Sequence, residues 1–222
     1  MPTQRAPAGI NQTFWALVIA EQLDGKRVVD VGTGAGRVAL AVAPLCRRVV
    51  GIEREPELID EARARAAAAR LGNVDFVVAD ADAMSDFRRL APDLVAPDLV
   101  TAHMFLSDPL VRNAGASLRA GGALVCVGFH VDHWRETGRA SRFAYDEARM
   151  TRLLEPQGFT IDHLGVERSV REFGSLEEAL AAAVSLEDRW RSDGRWFRYI
   201  DFLERGGRTL TEAHLVVKAR RR

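Results

Sequence analysis

Residues 28–36 read Val-Val-Asp-Val-Gly-Thr-Gly-Ala-Gly, an apolar run that suits the end of a buried strand, then three glycines alternating with small residues ahead of helix-forming sequence. Glycines at 32, 34 and 36 let the backbone turn sharply and leave no side chain between it and a ligand, so a nucleoside-like molecule can lie against the amides. The spacing is G-x-G-x-G. A dinucleotide fingerprint needs glycine at position 37, where Arg37 stands, so no pyrophosphate has to be accommodated. Taken alone, the turn equally suits a strand-to-helix connection with no ligand.

Two carboxylates narrow that choice. Residues 47–53, Arg-Arg-Val-Val-Gly-Ile-Glu, read as a second short buried strand. It ends in Glu53 about twenty residues past the glycine turn, the spacing at which an acid binds ribose hydroxyls. A third strand, Val74 to Ala79, runs up to Asp80. In an open parallel sheet ligands lie beyond the carboxyl ends of the strands, so the glycine turn and both acids would face one crevice.

These residues resemble a known family. Asp30 with Gly32, Gly34 and Gly36 is similar to the first motif of the class I S-adenosylmethionine-dependent methyltransferases, and Glu53 to its ribose acid. Residues 79–84, Ala-Asp-Ala-Asp-Ala-Met, look like the Gly-Asp-Ala-Glu-x-Leu stretch of the subgroup that methylates small molecules such as quinones and sterols. The resemblance implies a doubly wound α/β fold: a mostly parallel seven-stranded sheet, helices on both faces, and an antiparallel last strand between strands five and six. It also implies S-adenosyl-L-methionine as cofactor, held by Asp30, Gly32, Thr33, Gly34, Gly36, Glu53, Arg54, Asp80, Ala81 and Thr101, with Asp80 accepting from the adenine amino group and the Ala81 amide facing the ring.

A chain of 222 residues, 47% hydrophobic, can bury one substantial core. A single methyltransferase domain over residues 1–222 is expected, with an N-terminal helical cap over 1–24 and a helical insertion over 170–211 between strands six and seven. Thirty-one basic side chains balance 31 acidic ones, so no broad positive field points to nucleic acid. Only Lys26 and Lys218 are lysine, leaving 29 arginines. Cys46 and Cys126 form neither a Cys-x-x-Cys pair nor a disulfide framework, which fits a reducing cytoplasm. No apolar run approaches the ~18 residues that span a bilayer. Phe14 to Ala20 is followed by Glu21 and Asp24, unlike a signal peptide.

Apolar periodicity and capping residues predict helices at 11–23, 35–45 and 56–71, the last opened by Pro56 and closed by Gly72. Ala-Pro-Asp-Leu-Val occurs twice, at 91–95 and 96–100. The first copy reads as a loop and the second as the start of strand four. Ser107-Asp108-Pro109 then opens a helix that Gly121-Gly122 should end. Strand five is expected at 123–129, a loop at 131–142, a helix at 144–156 and strand six at 159–166. Ser175 and Glu178 form a capping box, a helix lies near 194–205, and the last strand spans 214–219.

For chemistry, His103 at the end of strand four is the catalytic candidate, a base for a hydroxyl or protonated amine acceptor; its structural alternative is a histidine hydrogen-bonded at a strand end. His130 and His133 after strand five are secondary candidates. With Asp132 they lack enough further ligands for a metal, and none is expected. Trp15, His103, Phe105, His130 and Trp134 could wall an acceptor pocket, helix-core packing being the alternative for the first helix. The aromatics of the insertion suit packing, a lid, or the surface of a homodimer. Residues 101–104, Thr-Ala-His-Met, lack the Pro-Pro-aromatic motif of base-amino methylation and a cysteine for cytosine C5 chemistry. The basic end, Lys218-Ala-Arg-Arg-Arg222, reads as a solvated tail. The expected acceptor is therefore a small organic molecule, with RNA or protein methylation, a nicotinamide-dependent oxidoreductase and a non-catalytic cofactor-binding module as alternatives.

Overall fold

In the computed structural model, residues 5–90 and 96–222 are described. The first Ala-Pro-Asp-Leu-Val copy and the first four residues of the helical cap lie outside the described residues. The order is α1 (Gln12–Ile19), β1 (Arg27–Val31), α2 (Arg37–Val42), β2 (Arg48–Glu53), α3 (Pro56–Ala68), β3 (Val74–Val78), β4 (Leu99–His103), α4 (Asp108–Ser117) and β5 (Ala123–Phe129). Then follow α5 (Glu147–Leu154), β6 (Phe159–Glu172), α6 (Leu176–Ala183), α7 (Glu187–Arg191), α8 (Arg195–Glu204) and β7 (Thr209–Arg221).

The strands form one sheet in the order β3-β2-β1-β4-β5-β7-β6, with β7 antiparallel and helices flanking the sheet, as the resemblance implies. Central strands buried on both faces read as continuous apolar runs: Val28, Val29 and Val31 of β1 and Leu124 to Val127 of β5 have no exposed surface. At the far end of β7, Gly121 and Gly122 exchange backbone hydrogen bonds with Arg221 at 2.8 Å each.

The chain divides into two compact units. Unit 1 comprises Met1–Gly128, Glu147–Gly165 and Val216–Arg222; unit 2 comprises Phe129–Asp146 and Val166–Leu215. In unit 1, Phe14, Trp15 and Val18 of α1 pack with Val28, Val38, Ile59 and Leu99. In unit 2, Trp134, Trp190, Trp196, Tyr199 and Leu203 form a second core, so most aromatics of the insertion serve packing while Phe197 stays exposed.

Several boundaries differ from expectation for local reasons. α3 closes at Arg70, which takes the left-handed φ of 55° while Leu71 N–H reaches back to Ala66 C=O; Gly72 lies beyond the cap. α4 stops before the glycine pair, because Leu118 turns extended at ψ 139°. β6 and β7 run longer than the 159–166 and 214–219 read from the sequence, reaching Glu172 and back to Thr209. The insertion between these strands is correspondingly shorter than 170–211. Lys218, Arg220 and Arg221 belong to β7 and are paired, so the basic end is no solvated tail.

Candidate functional site

Strand register brings the functional positions of unit 1 to one edge. Asp30 of β1 lies across from Gly51 of β2 and Thr101 of β4, and Glu53 of β2 lies across from Val78 of β3. The residues that follow the strand ends, Gly32–Gly36, Arg54, Asp80 and Met104, therefore all leave from the carboxyl edge.

Beneath the glycine turn sits a buried polar knot. Asp30 is 1% exposed; its carboxylate accepts from Thr33 Oγ1 at 2.6 Å and Thr101 Oγ1 at 2.8 Å. Burial pushes the Asp30 carboxyl up to about 6, against the lowering effect of Thr33, Thr101 and the Ala39 backbone. Asp30 and Thr101, expected among the cofactor contacts, have almost no surface to offer a ligand and hold the turn from below.

The three glycines separate by what a side chain would meet. At Gly32 a Cβ would fall 2.9 Å from Phe105 Cβ, and at Gly36 3.0 Å from the Phe76 ring and 3.2 Å from Ala62 Cβ. Only at Gly34 does it meet open space, with φ at 54°. Beside it stands the half-buried Glu53 carboxylate, whose Oε2 accepts from Gly34 N at 3.2 Å and whose Oε1 accepts from the amides of Arg54 and Glu55 at 2.8 and 3.2 Å. A carboxylate has about four acceptor sites, so it keeps capacity for hydroxyl donors. Arg54 contributes that amide, while its exposed guanidinium pairs with Glu55.

After β3, exposed Asp80 turns its Oδ1 to the Asp82 amide at 2.9 Å. Asn113 of α4 holds the segment in place by donating to Ala81 O at 3.0 Å and Met84 O at 2.7 Å. Ser107, the N-cap of α4, donates to Asp82 Oδ1 at 2.6 Å and accepts from Leu110 N at 3.1 Å. Asn113 was not singled out in the sequence, where one asparagine within a helix carries no signal of its long-range partners. Gly51 escaped for the same reason: a Cβ there would sit 2.7 Å from the Phe76 ring and 2.9 Å from Thr33 Oγ1.

His103 makes the kind of contact that its structural alternative describes. Its Nε2 accepts from Asn11 N at 3.0 Å and its ring meets Phe14 edge-on, tying the end of β4 to the N-cap of α1. A neutral imidazole has a single nitrogen lone pair, and this hydrogen bond occupies it. A base role would first have to break that contact. Trp15 is 2% exposed and belongs to the core of unit 1, and Trp134 is a core residue of unit 2, so both offer little surface. His130 is 5% exposed, its Nδ1 accepting from Asp132 N. His133 accepts from Ala213 N at 3.0 Å, and burial, then His214, Arg189 and Arg195, push it down to about 4. Of the five pocket residues, Phe105 and His103 alone keep partial exposure.

An open glycine flanked by a strand-end carboxylate, with a second acid just beyond the adjacent strand, fits a nucleoside with free ribose hydroxyls. The methyltransferase domain family matches residues 22–189. The chain belongs to the class I S-adenosylmethionine-dependent methyltransferases. This methyltransferase is 35% identical over 107 residues to protein-L-isoaspartate O-methyltransferase 2 of Rhodopseudomonas palustris (strain HaA2), covering 45% of this chain and 49% of that protein. It spans about half the length of the first curated relatives it matches. Among solved structures it is similar to an S-adenosylmethionine-dependent methyltransferase of Mesorhizobium loti, with TM-score 0.58 and 19% identity over 93% of this chain and 97% of that one. It is also similar to magnesium protoporphyrin IX methyltransferase of Synechocystis PCC 6803 with SAH bound, with TM-score 0.61 and 16% identity over 95% and 80%. The methyltransferase uses S-adenosylmethionine. Among the described residues, no helix is long and apolar enough to cross a membrane.

Proposed function

We propose that the chain transfers a methyl group from S-adenosylmethionine to the oxygen, nitrogen or carbon of a small organic acceptor, in the cytoplasm. The observation that carries the cofactor site is the open space over Gly34 beside Glu53. In this reading Glu53 accepts from the ribose hydroxyls, Asp80 accepts from the adenine amino group, and the buried Asp30, Thr33 and Thr101 keep the Gly32–Gly36 backbone in shape. The cofactor supplies a methyl group on a sulfonium, electrophilic enough that positioning the acceptor contributes much of the rate. A carboxylate or neutral amine acceptor attacks the methyl group without a base, whereas a hydroxyl needs its proton removed. The small-molecule acceptor is supported by the likeness of residues 79–84 to the small-molecule subgroup. The protein-L-isoaspartate relatives favour a second reading, an isoaspartyl peptide carboxylate as acceptor.

Calorimetry with S-adenosylmethionine and with NAD tests the cofactor site. Glu53→Gln and Gly34→Ala should each bind S-adenosylmethionine more weakly, Glu53→Gln by about 1.5–3 kcal/mol, with the fold retained. Gly36→Ala should instead lower the melting temperature, since its Cβ would press on Phe76 and Ala62. Tight NAD binding, or parental affinity in both site variants, would remove the assignment. Labelled cofactor with a metabolite extract in one arm and an isoaspartyl peptide in the other then separates the two acceptor classes.

A further inference from the structure

We propose that unit 2 carries a binding site for an oxyanion, a carboxylate or phosphate borne on a small apolar body, in the cleft between residues 139–143 and the α7–α8 junction. The cleft measures about 380 Å³, within the roughly 300–1,000 Å³ typical of small-molecule sites. Four guanidiniums line it, those of Arg139, Arg142, Arg189 and Arg195, against the single carboxylate of Asp193. That carboxylate is committed: its oxygens accept from Arg195 Nε at 3.0 and 2.9 Å, and Arg195 Nη2 lies 2.6 Å away. Arg139 donates to the Asp193 carbonyl, at 3.1 Å, and not to its carboxylate among the described residues.

Arg142 and Arg189 make no side-chain hydrogen bond or ion pair among the described residues and lie by aromatic rings instead, Arg142 4.6 Å from the Phe143 centroid and Arg189 5.8 Å from that of Trp134. Beneath them, Arg195 adds buried positive charge. This residue is 5% exposed, and its Nη1 is buried with no hydrogen-bond partner. Crowded like charges repel, and a buried guanidinium N–H without an acceptor bears the full loss of its hydration. An oxyanion held by Arg142 and Arg189 relieves the repulsion, because the planar fork of arginine matches carboxylate and phosphate oxygens two at a time, while Arg195, its guanidinium 5.4 Å from the Trp134 ring centroid, forms the floor beneath them. Phe143, 48% exposed, gives the ligand's apolar part a surface. A volume of about 380 Å³ favours a small molecule over a nucleic-acid strand.

The test is titration of the full chain, without S-adenosylmethionine, using phenyl phosphate, benzoate and inorganic phosphate followed by calorimetry at low salt. Phenyl phosphate or benzoate should saturate and bind tighter than inorganic phosphate, and the stronger of the two tells phosphate from carboxylate. Arg189→Gln and Arg142→Gln should each weaken binding about tenfold while circular dichroism and S-adenosylmethionine affinity stay parental. The cofactor measurement reports separately on the methyl-transfer site. Absence of saturation, binding indifferent to both substitutions, or a short RNA oligonucleotide binding tighter than phenyl phosphate through the same arginines would overturn the proposal.

Discussion

Asp30 shows how a residue's place can be legible in the sequence while its surroundings are not. Its position before the glycines was legible in the sequence, but its burial was not, because burial depends on Thr101 arriving from a strand 71 residues away. The carboxyl sits at about 6 in the folded chain against 3.8 for an ordinary aspartate, so folding binds its proton more tightly. Stability from this group is therefore present below about pH 4 and is lost as the pH rises through 6. Asp30→Asn removes the titration while both threonine hydroxyls can turn to meet the amide. The variant should gain stability relative to the parent by roughly 2–3 kcal/mol between about pH 4 and pH 7, read from urea unfolding at the two values. An identical pH dependence in both chains would mean Asp30 is not charged and buried. His103 teaches the same lesson: the strand end was foreseeable, whereas the Asn11 amide that occupies its lone pair was not.

At the scale of elements, local chemistry carried most of the reading and failed where distant partners decide. β5 matches its expected range, and Ser107 and Pro109 mark the start of α4, since caps and apolar runs are written in adjacent residues. The lengths of β6 and β7 were hidden, because polar residues extend a strand only when a neighbouring strand is there to pair with. The adenine-side segment depends on α4 in the same way. Asn113→Ala leaves the Ala81 and Met84 carbonyls without their donor, a loss of about 1–3 kcal/mol. Hydrogen exchange should quicken across residues 80–84, and S-adenosylmethionine affinity should fall although no ligand contact has been removed. Unchanged exchange there would show that the segment is held by other means.

At the scale of the whole molecule, Glu21 joins residues far apart in the chain. Its carboxylate, 4% exposed, lies 2.6 Å from Lys218 Nζ, 2.7 Å from Arg220 Nη2 and 3.1 Å from Lys26 Nζ. Burial alone would raise its pKa, but hydrogen bonds from Arg220, Lys218 and Lys26 outweigh that and hold it at about 2. The stabilisation is thus present above 4.5 and fades as the pH falls toward 2. Glu21→Gln leaves clustered cations uncompensated and should cost about 3 kcal/mol near neutrality, the deficit shrinking in acid. A melting temperature equal to the parent's at neutral pH would dismiss the network as a source of stability. Zero formal charge concealed this, because composition counts charges and does not locate them.

The insertion of β7 between β5 and β6 also governs how the chain is made. On a ribosome, β5 emerges complete at Phe129, but the strand that covers its free edge begins only at Thr209. At roughly 5–20 residues per second, that leaves an apolar strand edge open to solvent for several seconds of every translation. Expression yield should therefore respond to chaperone supply and to synonymous codons between those two strands.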